Sequence, residues 1–138
     1  MNIALKEAMK AYEEDEIPVG ALIVYQDQII GRGYNQSQRL KDSTAHAEMI
    51  AITSAQNKIG SKYLNGCELY VTLEPCMMCS GAIFLSKISK VIYGLDDKEK
   101  GFLRLSKEYA NKKLKIISNI EEIKSKELLD SFFFKLRS

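Results

Sequence analysis

No apolar run in this sequence approaches the roughly 18 residues of a membrane-spanning helix; the longest, such as 21–25 and 132–134, are a fraction of that. A membrane partner is therefore not expected. The N-terminus, MNIALKEAMKAYEEDE, is too charged for a secretory signal, so a cytoplasmic address is the expectation. Cysteine is scarce, and three is an odd number, which argues against a closed disulfide framework and leaves thiols that are free or bound to metal. Histidine occurs once, as His46. Repeats, linkers and low-complexity tracts are absent, and 138 residues suit one domain, 1–138, around one core.

Net charge is only +2, but it is unevenly spread. Residues 1–50 hold five Lys/Arg against eight Asp/Glu, and residues 51–138 hold fifteen against ten. A basic C-terminal half fits either a solvated helix face or a polyanionic partner.

Ile3, Leu5, Ala8, Met9 and Tyr12 recur at helical spacing, so residues 2 to about 15 are predicted as an amphipathic helix that closes in the acidic EEDE stretch and ends at Pro18. Two β-rich runs, 19–25 and 28–33, flank a polar turn at Gln26-Asp27 and form a hairpin signal. Ser43 and Thr44 are good N-cap types for a helix to about Asn57. Residues 67–73 suit a buried strand, and Pro75 suits the first position of a helix to about Ser86. A strand at 91–94 would then be parallel to the one before it. A helix over 98–110, a short strand at 114–117 and a final helix over 121–136 complete the order α-β-β-α-β-α-β-α-β-α. That order predicts a five-stranded sheet covered by helices, a mixed α/β layer fold.

Cys76 and Cys79, three apart in a first helical turn, project from one face and can share one metal ion. The helix N-terminus favours the thiolate that zinc requires. A bare CxxC also fits a thioredoxin-like redox motif. His46, at the predicted start of the other helix, supplies a third ligand type, and two Cys with one His leave a tetrahedral position open for water, the pattern of a catalytic zinc. Cys67 is a candidate for that fourth position, but it sits early in an apolar strand and better suits a small buried hydrophobe. Glu48 is a carboxylate of the type that could move protons there. In a regular helix, however, residues two apart diverge by about 200°, so His46 and Glu48 serve one site only if the pocket lies at the helix mouth.

His-Ala-Glu followed by Pro-Cys-x-x-Cys resembles the signature of the zinc-dependent nucleobase deaminases. Within that superfamily the sequence is similar, nearly end to end, to the bacterial tRNA-specific adenosine deaminases. The matching stretches are IPVGALIV (17–24), IIGRGYN (29–35), TAHAEMIAI (44–52), LYVTLEPCMMCSGAI (69–83), KVIYGLDD (90–97) and LLDSFFFKLR (128–137). The resemblance implies a cytidine-deaminase-like three-layer α/β/α fold, one Zn2+ per chain held by His46, Cys76 and Cys79, and Glu48 as the proton shuttle. It also implies hydrolytic conversion of the wobble adenosine of a tRNA to inosine, with arginine tRNA of anticodon ACG the expected substrate. Asn35 matches an asparagine that bonds the purine base, and Asp97 an aspartate near the substrate nucleotide. Phe133 and Arg137 fall in a C-terminal element placed against the tRNA anticodon loop, and aromatic and guanidinium surfaces suit unstacked bases. Family members are homodimers, which the resemblance carries over.

The chain departs from the family's usual pattern at Ser43, where many members have proline, and at Glu99, where a lysine is usual. It departs again through FLRLSKEYANKK, including Asn111-Lys112. These positions lie where RNA would be read. Two other readings stand beside the first: a free-base or nucleoside deaminase acting on guanine or cytosine, and a catalytically silent zinc- or RNA-binding protein of the same fold.

Overall fold

The computed structural model describes residues 1–103, 105 and 114–138. In chain order the elements are α1 (Asn2–Glu13), β1 (Gly20–Tyr25), β2 (Gln28–Tyr34), α2 (Ala47–Ile59), β3 (Glu68–Leu73), α3 (Met77–Leu85), β4 (Lys90–Leu95), β5 (Lys115–Ile117) and α4 (Glu122–Arg137). The strands form one mixed sheet in the order β2-β1-β3-β4-β5. β1 runs antiparallel to β2 and β3, while β3, β4 and β5 are parallel, as the βαβ spacing predicts.

Gln26 and Asp27 both have positive φ, 49° and 62°, which a two-residue type I′ hairpin requires. Register then divides the sheet into two faces. Ala21 pairs with Gly33 and Val71, and Val71 with Tyr93, so these point to one side, where α2 and Ile83 of α3 complete the main core. Gly20, one residue earlier, faces the other side, where a Cβ would press on Glu7 and Ala8 of α1. The chain is thus three-layered, with α1 and α4 packed together on one face and α2 and α3 on the other.

Several boundaries differ from the sequence expectation for identifiable reasons. α1 stops before Pro18 because Asp15 turns left-handed (φ 60°), and the N–H groups of Asp15 and Glu16 bond the carbonyls of Tyr12 and Ala11 at 3.2 and 2.9 Å, a Schellman closure. Neither Ser43 nor Thr44 caps α2: Asp42 takes both the N–H and the hydroxyl of Thr44, at 2.8 and 2.7 Å, so the chain turns there and the N-cap falls to His46. Pro75 likewise lies outside α3, whose N-cap is Cys76. Of the helix expected over 98–110, residues 98–100 form a turn and Leu103 and Leu105 are helical, while 104 and 106–110, with Asn111 and Lys112, lie outside the described residues. No helix among the described residues is long and apolar enough to cross a membrane.

Candidate metal centre and active-site cleft

His46 and Cys76 are both N-cap residues in extended conformation, with ψ of 154° and 179°, and neither side chain caps its own helix. Both side chains are thereby free to meet in front of the two helix mouths. His46 Nδ1 lies 3.6 Å from Cys76 Sγ and 3.6 Å from Cys79 Sγ, and the three donor atoms all fall within 4.8 Å of one another. Nitrogen and sulfur bound to one tetrahedral zinc at about 2.0–2.1 and 2.3 Å would stand about 3.6 Å apart across the tetrahedral edge. The spacing and the soft, mixed thiolate–imidazole donor set therefore fit zinc. Cys67, by contrast, is buried in the apolar core away from this cluster.

The three donors shift one another's proton affinities. The Cys79 thiol bonds Cys76 and, with help from His46, holds Cys76 down to about 3, so Cys76 is a thiolate. The same bond, with burial, pushes Cys79 well up, and the contact with Cys76 raises His46. A divalent cation held by these residues would displace their protons, because each donor binds metal in its deprotonated form.

The N-cap position of His46 also resolves the 200° objection. His46 precedes the helix, so its side chain does not follow the helical progression, while Glu48 lies in the first turn of α2. Both line one cleft of about 710 Å3. Glu48 is almost wholly buried, and that desolvation raises its carboxyl to about 7.

Of the residues singled out in the sequence, the cleft gathers Asn35, His46, Glu48, Cys76, Asp97 and Phe133. Arg137 lies one helical turn beyond Phe133, with its Nε–H donating to the Phe133 carbonyl at 3.0 Å, and is exposed outside the cleft lining. The three consecutive phenylalanines divide their roles: Phe132 is 4% exposed and packs edge-on to Tyr12, Phe133 reaches the cleft at 38%, and Phe134 is 74% exposed. Asp97 Oδ1 accepts the N–H groups of Glu99 and Lys100 at 3.1 and 3.0 Å, so this aspartate first of all shapes its own turn.

Two buried carboxylates were not singled out from sequence. Glu74 Oε1 accepts the Asp97 N–H at 3.1 Å and ties that turn to the segment entering Cys76, where Gly101 pairs with Cys76 and has no room for a side chain. Glu16 accepts N–H groups from the loop between Asn35 and His46. The usable signal for both was position: each acid sits one or two residues before a proline, in a segment between two elements.

A family described as the cytidine and deoxycytidylate deaminase zinc-binding region matches residues 1–95, a span that contains His46, Glu48, Cys76 and Cys79. A tRNA-specific adenosine deaminase of Aquifex aeolicus (strain VF5) is 48% identical, with 100% of this chain and 94% of that protein covered. A solved structure from work on A-to-I editing by tRNA:A34 deaminases at the wobble position superimposes with a TM-score of 0.88 at 38% identity, covering 94% of this chain and 97% of the other. A guanine deaminase from Nitrosomonas europaea shares the fold, with a TM-score of 0.83 over 95% of this chain and 81% of that one, at only 21% identity. With the same fold, a full-length match and a zinc-compatible donor set, the chain belongs to the cytidine and deoxycytidylate deaminase family and, within it, to the tRNA-specific adenosine deaminases.

Proposed function

We propose that this chain, as a single deaminase domain over 1–138, hydrolyses the wobble adenosine of a tRNA to inosine, with an arginine tRNA of anticodon ACG as substrate. The observation that carries the reading is the meeting of His46, Cys76 and Cys79 at two helix mouths, with the buried carboxyl of Glu48 in the same cleft. His46, Cys76 and Cys79 hold one zinc. When bound, zinc supplies a hydroxide nucleophile from water near neutral pH.

The remaining work falls to the chain itself. Glu48 accepts the proton lost by the attacking water and passes it to ring N1 as the bond from oxygen to C6 forms. It then takes the proton of the new C6 hydroxyl and delivers it to the amino group, so that the C6–N bond breaks, ammonia leaves and the C6 carbonyl of inosine remains. Burial favours its neutral form, which suits a group that must return each proton it takes. Asn35 hydrogen-bonds the base, and Asp97 lies by the nucleotide. Phe133 offers a ring for an unstacked base, and Arg137, with the basic surplus of residues 51–138, meets phosphates. The enzyme works in the cytoplasm as a homodimer, for which the exposed Met77 and Leu85 of α3 offer apolar surface.

The test is an inosine assay on an unmodified anticodon stem-loop of sequence ACG, with the zinc-loaded protein beside Glu48→Ala. Inosine from the parent and none from the variant is the expected result. Turnover of free guanine with no inosine in RNA would favour the free-base deaminase reading, which the shared fold of the Nitrosomonas protein keeps in view.

A further inference from the structure

Glu16 has no solvent exposure at all, and the proposed chemistry does not use it. The Schellman closure of α1 turns it inward, where each carboxylate oxygen meets one backbone N–H of the loop that leads from Asn35 to His46. Oε1 accepts from Gln38 at 2.9 Å and Oε2 from Arg39 at 2.7 Å. The next residue, Ile17, accepts a hydrogen bond from Asn35 Nδ2 at 3.2 Å, and Asn35 Oδ1 accepts the Ser37 N–H at 3.2 Å. Glu16 and Ile17 therefore grip both Asn35 and the turn that follows it.

This grip bears on what Asn35 can present to a base. A primary amide has two N–H donors and two acceptor lone pairs. One donor goes to Ile17 and one lone pair to Ser37, which leaves one of each for the cleft that Asn35 lines. A carbonyl can only accept and an N–H can only donate, so the two partners set which way round the amide stands. Were the turn at 37–39 to shift, Asn35 would lose the Ser37 N–H and with it the constraint that keeps its donor and acceptor from exchanging places. A carboxylate suits the clamp because two parallel N–H groups need two acceptors, and the ionised pair of oxygens makes both bonds charge-assisted. A glutamine would turn an NH2 toward one of them.

We infer that Glu16 is a positioning residue for base recognition: by clamping the Gln38 and Arg39 N–H groups it fixes the hydrogen-bonding face that Asn35 offers to the substrate. The inference rests on the reading of Asn35 as the base contact.

The test is a double-mutant cycle on the zinc-loaded full chain, with kcat and KM for inosine formation on the stem-loop measured for the parent, Glu16→Gln, Asn35→Ala and the double variant. Zinc content and thermal midpoint are recorded for each. Glu16→Gln is expected to keep its zinc and lose about tenfold or more in kcat/KM, mainly through KM. In the Asn35→Ala background the same change should cost less than about twofold, since there is no amide left to orient. An equal loss in both backgrounds, or no loss from Glu16→Gln while Asn35→Ala is impaired, overturns the inference and leaves the base contact standing. Full activity in Asn35→Ala removes the base contact and the inference together. Should Glu16→Gln not fold, Glu16→Asp, which keeps the charge but is one methylene too short to reach both N–H groups, replaces it in the same cycle.

Discussion

His46 Nδ1 stands 3.6 Å from Cys76 Sγ, although 30 residues separate them in the chain. Each terminates the loop that enters its helix, so the metal centre is held by two loop-to-helix junctions and is complete only when α2 and α3 are both docked. Removing zinc with a chelator should therefore abolish deamination and lower the thermal midpoint. Cys76→Ser should lower the bound metal from about one zinc per chain to well below it, because a serine hydroxyl does not ionise near pH 7 as a zinc-binding thiol does. Metal analysis after dialysis, with a melting curve, checks both; a Cys76→Ser protein that keeps full zinc would count against the ligand assignment.

The raised carboxyl of Glu48 gives the metal-free protein a specific pH signature. In the fold it titrates at about 7 against an ordinary value of 4.5, so the folded chain holds a proton that the unfolded chain releases between these limits. Unfolding is then favoured as pH rises through that window, and the destabilisation is complete above about pH 7. Cys76, held low, acts in the opposite direction and is common to parent and variant. Chelator-treated Glu48→Gln should therefore gain on the parent between pH 5 and pH 8, by on the order of 2–3 kcal/mol. Urea unfolding at the two pH values measures this, and a gap between the proteins that does not move with pH would remove the burial argument. With zinc bound the gap should shrink, since a neighbouring cation favours the ionised carboxylate.

A side chain at Gly33 would collide with the Ala47 carbonyl and come within 2.8 Å of Ala51 N. Gly33→Ala must push the first turns of α2 off the sheet, at a cost of about 1–3 kcal/mol. Because His46 and Glu48 ride on that end of the helix, the variant should also bind zinc more weakly. Denaturant melts and a zinc competition titration would show both effects together, and loss of stability with unchanged zinc affinity would mean that the helix mouth tolerates the shift.

Phe133 presents a partly exposed ring to the cleft, whereas Phe132 is a core residue. Phe133→Ala should leave stability and zinc content nearly unchanged while raising KM for the stem-loop about tenfold, the scale of one lost base–aromatic stack. If the basic half meets phosphates as proposed, activity should also fall as salt rises. Steady-state kinetics at two salt concentrations test the pair of effects. If Phe133→Ala changes kcat alone, the ring does not bind RNA.

The parts of the fold that follow from local pattern were legible in the sequence: the Gln26-Asp27 hairpin, the βαβ unit around Cys76, and the five strands. The motif residues His46, Glu48, Cys76 and Cys79 were also visible, but their arrangement was not. Ser43 and Thr44 are better N-cap types than histidine, and only the capture of Thr44 by Asp42 moves the cap to His46. That two-residue displacement decides whether His46 and Glu48 can face one cleft. In the sequence, Glu16 is only the last acid of the EEDE stretch that closes the predicted helix. Its burial depends on N–H groups 22 and 23 residues further along the chain, which composition and periodicity do not report.

The glycines of β2 have a consequence beyond stability. At Gly31 and Gly33, α2 rests on the sheet with backbone against backbone, so no side chain there can change rotamer to absorb a displacement. The wall that carries His46 and Glu48 is therefore a fixed datum. Another part of the lining is built differently, from the turn at 97–100, hung on the carboxylates of Glu74 and Asp97, and from a ring on the terminal helix. Relatives that exchange one substrate for another should accordingly diverge in the turn and the tail, while the glycine-seated wall stays the same.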